Sequence, residues 1–159
     1  MKIKYITSIL ALLFLIFSVG CPPSTPLVTR VIDGDTIEVN MAGTLYRVRY
    51  IGIDAPELDD ESPRLRALAQ EAAELNRELV EGGGVRLEKD ISAIDWYGRL
   101  PRYVYVDGIF VNAELVRRGL AWAKAYPPDV KYQSILEEAE AEARREEAGV
   151  WQEAQQIAK

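Results

Sequence analysis

The stretch Arg47-Val48-Arg49-Tyr50-Ile51-Gly52-Ile53-Asp54-Ala55-Pro56-Glu57 decides how the chain is read. In an extended segment alternate side chains face opposite sides, so Arg47 and Arg49 share one face and Val48 and Tyr50 the other. Ile51 and Ile53 continue the β-rich pattern. Pro56 cannot donate a ladder hydrogen bond and biases Ala55 away from helix. The reading is a strand, residues 45–53, that ends in a turn and delivers Arg49, Asp54 and Glu57 to one rim. A guanidinium beside two carboxylates has the chemistry to bind a divalent ion and a phosphate together. Taken alone, the same trio also suits a surface ion pair at a strand end, which is common and weak.

Upstream, residues 27–32 read as a strand and Asp33-Gly34-Asp35-Thr36 as a turn, with Gly34 allowing positive φ and Asp bonding its own backbone. Residues 36–41 form a second strand, joined to the third by a hairpin at Ala42-Gly43. The acidic turn lacks the later ligands of an EF-hand. Downstream, Ser62 caps a helix that has Pro63 at its first position and Leu65, Leu68, Ala72, Leu75 and Leu79 at helical spacing. Gly82-Gly83-Gly84 ends it. No strand precedes these glycines and no Lys-Ser/Thr follows, so they are a stop and not a phosphate loop.

Residues 85–89 and 100–106 are the fourth and fifth strands, with Pro101 suggesting an irregular or edge start to the latter. Between them, Asp95-Trp96-Tyr97-Gly98-Arg99 offers aromatics on which a base can stack and an arginine to reach a phosphate. Asn112 is read as the cap of a short helix closed by Gly119. Pro127-Pro128-Asp129 opens the last helix, with Tyr132, Leu136, Ala139 and Ala143 inward and a glutamate-rich face in solvent. Trp151 docks after Gly149 as a terminal plug. The sum is a mixed α+β chain, a small five-stranded barrel with three packed helices.

Composition bounds the chemistry. The chain has 159 residues, enough for one domain with a core, and no His, so catalysis must rest on carboxylates, Arg, Tyr or Lys. Its single Cys excludes an internal disulfide and a Cys-based zinc site. Residues 1–21 read as an export signal, with Lys2 and Lys4 ahead of an apolar run and Ser18-Val19-Gly20 before Cys21. Cys21 after Gly20 resembles the lipid-attachment site of bacterial lipoproteins, although Ser18 stands where Leu is usual. An ordinary cleaved signal and an uncleaved anchor are the alternatives, and all three place the domain outside the cytoplasm. Residues 22–26 form a proline-rich tether, 27–152 the domain and 153–159 a tail. Without residues 1–21 the chain keeps 17 basic and 25 acidic residues, a formal −8. That balance lacks the basic footprint of most nucleic-acid binders.

Four motifs in order, residues 31–36, 49–57, 95–99 and 112–121, resemble the thermonuclease family, the staphylococcal-nuclease-like domains. The resemblance covers essentially all of the chain from Leu27 to Trp151. It implies an OB-fold barrel and calcium-dependent hydrolysis of phosphodiester bonds in DNA and RNA, leaving a 3′-phosphate. It further implies that Asp35, Asp54 and the Ala55 carbonyl hold calcium, where relatives often have Thr in place of Ala55. Arg49 and Arg99 would bind the phosphate, Glu57 would act as the catalytic carboxylate, and Tyr97 would contact substrate. Trp96 stands where some relatives have Lys and joins Tyr97 as an expected substrate contact; Tyr126 is only a candidate. A monomer without protein partners is expected. The alternatives are a catalytically inactive OB-fold module that binds nucleic acid or a protein, and a lipid-anchored interaction domain at the cell surface.

Overall fold

Val28, Ile37, Val39, Val48, Tyr50 and Val104 are all buried, and their period-two spacing closes the strands around a common interior. The computed structural model describes residues 25–152. The expected signal, the lipid-attachment Cys21 and the tail from residue 153 lie outside the described residues. β1 (Leu27–Val31), β2 (Thr36–Met41) and β3 (Thr44–Tyr50) form an antiparallel meander. Its hairpin at Ala42-Gly43 has positive φ at both residues, the geometry that matches strand twist. β3 then runs parallel to β6 (Leu100–Val106), and β5 (Arg86–Glu88) lies antiparallel on the other side of β6. The circle closes where Val28 N–H bonds the Gly83 carbonyl at 3.0 Å and Val85 N–H bonds the Pro26 carbonyl at 2.9 Å. This is the expected five-stranded OB barrel; β6 lies between β3 and β5, and its start at Leu100–Arg102, with Pro101, pairs with β3 alone.

α1 (Pro63–Val80) is the crossover that the parallel β3–β6 pair requires. Ser62 Oγ accepts from Leu65 N–H, and the buried face is Leu68, Ala69, Ala72, Ala73, Asn76 and Val80. α2 (Val111–Arg117) follows the two-residue β7 (Ile109–Phe110). α3 (Gln133–Arg145) packs on α2 and leads to a 3-10 turn at Gly149–Trp151. Trp151 is half-buried there, with the Arg144 guanidinium 3.9 Å from its ring centroid.

The third strand does not continue to residue 53 as expected. Ile51-Gly52 turns the chain, with Gly52 at φ +78° and no room for a side chain: a Cβ would lie 2.3 Å from Leu136 Cδ1. Ile53–Asp54 becomes a separate β4, paired with β8 (Trp122–Ala123). Asn112 is not a cap. The residue before α2 is Phe110, whereas Asn112 is fully buried, accepts from Val104 N–H at 2.9 Å and donates to the Ile51 carbonyl at 2.9 Å. It staples the helix to the barrel, because a buried amide must find a donor and an acceptor. α3 starts at Gln133, six residues after the point expected, since Pro127-Pro128-Asp129 is used in a turn of its own. The glutamate face is not all solvated: Glu140 accepts from Ala123 N–H and Glu142 pairs with Arg117 at 3.0 Å.

Gly34 has an ordinary φ, contrary to expectation. It is required by space, because a Cβ there would lie 2.7 Å from the Ala72 Cβ and 2.8 Å from that of Ala55. The two poles of the barrel are distinct. Asp35, Arg49 and Leu100 mark one. Leu27 and the 42–43 hairpin mark the other, and Thr25, just ahead of Leu27, lies against Gly84.

Candidate active site

Asp35 sits on the turn between β1 and β2. Its N–H bonds the Asp33 carboxylate at 3.0 Å, and Ile32 and Asp33 N–H both reach the Thr36 carbonyl. Arg49, next to last in β3, extends its guanidinium to this turn. One Nη lies 2.8 Å from Asp35 Oδ2, and the other lies 2.9 Å from Asp54 Oδ1. The first Nη also donates to the carbonyls of Tyr50 and Ile53. The break at Gly52 is what brings Asp54 round to this guanidinium. Ala55 N–H completes the junction, donating to Asp35 Oδ2 at 2.7 Å.

Asp35 is almost fully enclosed. Burial pushes its carboxyl up to about 7 against the pull of Arg49, with Asp33 and Asp54 adding to the rise. Asp54 is more open and carries two further donors, Lys124 Nζ at 2.7 Å and the Tyr126 hydroxyl at 3.3 Å. Its carboxylate raises the Lys124 ammonium above the ordinary lysine value.

The remaining face of Arg49 borders a cleft of about 660 Å³. Its other wall is the 91–99 loop, with Trp96 and Tyr97 almost wholly exposed and Arg99 5.1 Å from the Tyr97 ring centroid. Both ends of this loop are pinned by aspartates. Asp95 accepts from the N–H groups of Tyr97 and Arg99 and from Arg99 Nε at 2.7 Å. Burial opposes its ionisation, yet the bonds from Arg99 and Tyr97 hold its carboxyl below the usual range. Asp129, itself buried, accepts from Ile91 and Ser92 N–H at 2.9 and 2.7 Å, so the Tyr126–Asp129 turn and the loop are tied into one wall.

Of the residues singled out from sequence, Asp35, Arg49, Asp54 and Ala55 meet at one junction. Trp96, Tyr97 and Arg99 line the cleft that Arg49 borders, with Tyr126 beside them. Glu57 is exposed just past Pro56, two residues after Ala55, and its carboxylate bonds no described residue. Three residues of this region were not anticipated. Lys124 reaches Asp54, Asp129 braces the loop, and Asn76 lies buried behind Asp35. The signal for Asn76 is its place in the row Leu68-Ala72-Asn76-Val80, four apart along the inner face of α1.

The donor set suits a hard dication. Two carboxylates converge within one guanidinium's width, and the Ala55 carbonyl accepts no hydrogen bond from the described residues. Among those residues no group of three or more Asp, Glu, His or Cys side chains gathers, so the rest of a coordination shell falls to carbonyl and water oxygens.

A closed OB barrel with Arg49 and Arg99 lining a cleft beside exposed aromatics has the donors and stacking faces of a nucleic-acid-handling OB domain. Comparison with known proteins agrees. The family described as "Staphylococcal nuclease homologue" matches residues 47–153. A thermonuclease of Staphylococcus intermedius is 38% identical over 126 residues, 79% of this chain and 75% of that protein. The SPbeta prophage-derived endonuclease YokF of Bacillus subtilis (strain 168) is 40% identical over 124 residues, which span only 42% of its length. An uncharacterized endonuclease of Escherichia coli O157:H7 is 34% identical over 97% of this chain and 93% of its own. The chain belongs to the staphylococcal nuclease family.

Proposed function

We propose that this protein is a calcium-dependent nuclease working outside the cytoplasm, and that its site is the junction of Asp35, Arg49, Asp54 and Ala55 with the facing Arg99. The observation that carries the reading is the Arg49 guanidinium, which bridges both aspartates at 2.8 and 2.9 Å and borders the cleft. Arg49 and Arg99 bond the non-bridging oxygens of the phosphate, and their hold strengthens as negative charge grows on it. Glu57 takes a proton from the attacking water or orients it; with no His in the chain, a carboxylate is the available base. Water's oxygen bonds to phosphorus as the bond to the 5′ oxygen breaks, and the departing 5′ oxygen takes a proton from solvent water. Tyr97 and Trp96 stack an unpaired base beside the reacting phosphate. Asp35, Asp54 and the Ala55 carbonyl would hold calcium, which would supply positive charge to polarise the phosphate and the water. The substrates are DNA and RNA, and the site is complete in one copy. Export and lipid attachment at Cys21 place the enzyme at the cell surface.

The test is cleavage of single-stranded DNA by the full chain in mild detergent, with calcium, with EDTA, and with Arg49→Ala beside the native protein. Cleavage that needs calcium and collapses in the variant supports the reading. The net negative charge favours a second one, a binding module without catalysis. A folded protein that binds DNA but does not cleave it in calcium would establish that alternative.

A further inference from the structure

Behind the carboxylate turn the barrel interior holds a polar pair. Tyr50 and Asn76 are 1% and 0% exposed. The Tyr50 hydroxyl donates to Asn76 Oδ1 at 2.7 Å, and Asn76 Nδ2 donates to the Asp33 carbonyl at 3.0 Å. The amide orientation is fixed, because a carbonyl can only accept. Tyr50 holds the turn a second time through its backbone: its N–H bonds the Asp35 carbonyl at 2.9 Å. The carbonyls of residues 33 and 35 are thus both traced to Tyr50, one directly and one through Asn76. The turn's other backbone bonds stay within residues 32–36. Tyr50 is also the neighbour of Arg49, so one strand end carries both the cation that meets Asp35 and the clamp that fixes where Asp35 stands.

Packing alone does not ask for this arrangement. The other buried positions of the row, Leu68, Ala72 and Val80, are apolar, and an apolar pair of similar volume can fill such a space at little loss of stability. What the polar pair adds is direction.

We propose that Tyr50 and Asn76 are positioning residues that fix the Asp33–Asp35 turn so that Asp35 faces the cation and Arg49. The effect on calcium rests on the reading of Asp35 as a calcium ligand; the effect on the turn does not.

The experiment compares the full chain in mild detergent with Tyr50→Phe, Asn76→Leu and the double variant. Four quantities are read: melting temperature, amide hydrogen exchange at residues 33–36, calcium affinity by calorimetry, and kcat and KM on a single-stranded DNA oligonucleotide. The double variant is expected to melt within about 5 °C of the native chain. Its turn amides should exchange roughly tenfold faster. Calcium affinity and kcat should each fall about tenfold, the usual effect of removing a partner that orients a ligand, with KM nearly unchanged. A double variant with native exchange in the turn overturns the proposal. If the double variant does not fold, Tyr50→Phe decides in its place, since it removes only the hydroxyl. Asp35→Asn separates the two readings. If that variant binds calcium as tightly as the native chain, the calcium assignment fails and exchange alone judges the clamp.

Discussion

At the scale of single residues, the site turns on how many partners each charge has. Arg49 serves two aspartates and two carbonyls at once. Arg49→Ala therefore removes both the proposed transition-state donor and the cation facing buried Asp35. Cleavage of single-stranded DNA should fall about 10²-fold or more in kcat. Arg49→Lys should recover little, because an ammonium cannot span two carboxylates as a planar fork does. Lys124 acts in the other direction. Its ammonium sits on Asp54 Oδ2, where a dication must compete with it. An exposed pair of this kind is worth at most about 1 kcal/mol, so Lys124→Met should tighten calcium binding by up to about fivefold in a calorimetric titration. Unchanged or weaker binding would show that Lys124 does not compete. Arg49 and Asp54 were legible in the sequence as neighbours on one rim, although it is the break at Gly52 that brings Asp54 there, and Asp35 was legible only through the resemblance of its motif. Lys124 and Asn76 were not. Lys124 meets Asp54 only through the β4–β8 pairing, which no local pattern announces, and Asn76 looks like an ordinary polar residue until its row on α1 is known to face inward.

At the scale of elements, the tightest contact lies where α2 ends. Gly119 at φ +67° and Gly149 at φ +53° meet backbone to backbone, and Val150 N–H bonds the Gly119 carbonyl at 2.8 Å. A Cβ on Gly119 would lie 2.1 Å from the Ala148 carbonyl oxygen. Gly119→Ala should cost about 3 kcal/mol, through strain and overpacking together, in urea unfolding. Its effect should not add to that of Gly149→Ala, because the two share one contact. The strands, α1 and the order of elements follow from alternation, the Ser62-Pro63 start and the glycine stops. Sequence reading failed where a residue with a strong local preference is used tertiarily. Asn112 favours caps in isolation but is drawn into the barrel wall, Pro127-Pro128 favours a helix start but forms a separate turn, and Gly52 cuts a strand whose isoleucines read as continuous.

At the scale of the whole molecule, charge is the feature at odds with function. The chain carries 25 acidic against 19 basic residues, and few cations face the cleft. With Arg49, Arg99 and Lys124 as the contacts, binding of single-stranded DNA in EDTA should weaken with salt at a log–log slope of about −2. Fluorescence anisotropy across salt concentrations checks this, and a much steeper slope would require a basic surface outside the cleft. Acid should act at a distance from the site. Lys131 and the Tyr132 hydroxyl, with Arg86, hold the Glu88 carboxyl down to about 2, tying β5 to the residues ahead of α3. A lowered folded-state value means that this contribution is complete above the ordinary 4.5 and is lost as pH falls through about 2. The stability gap between the native chain and Glu88→Gln should accordingly be constant above that range and close below it, as read by unfolding at stepped pH. The position of Thr25 fixes one more property. The chain joins the barrel beside Gly84, the length of a strand away from Arg49 and Asp35. Were the chain moored through the residues ahead of Thr25, as proposed, the cleft would lie across the barrel from the mooring, and a passing polymer would meet it from open solvent.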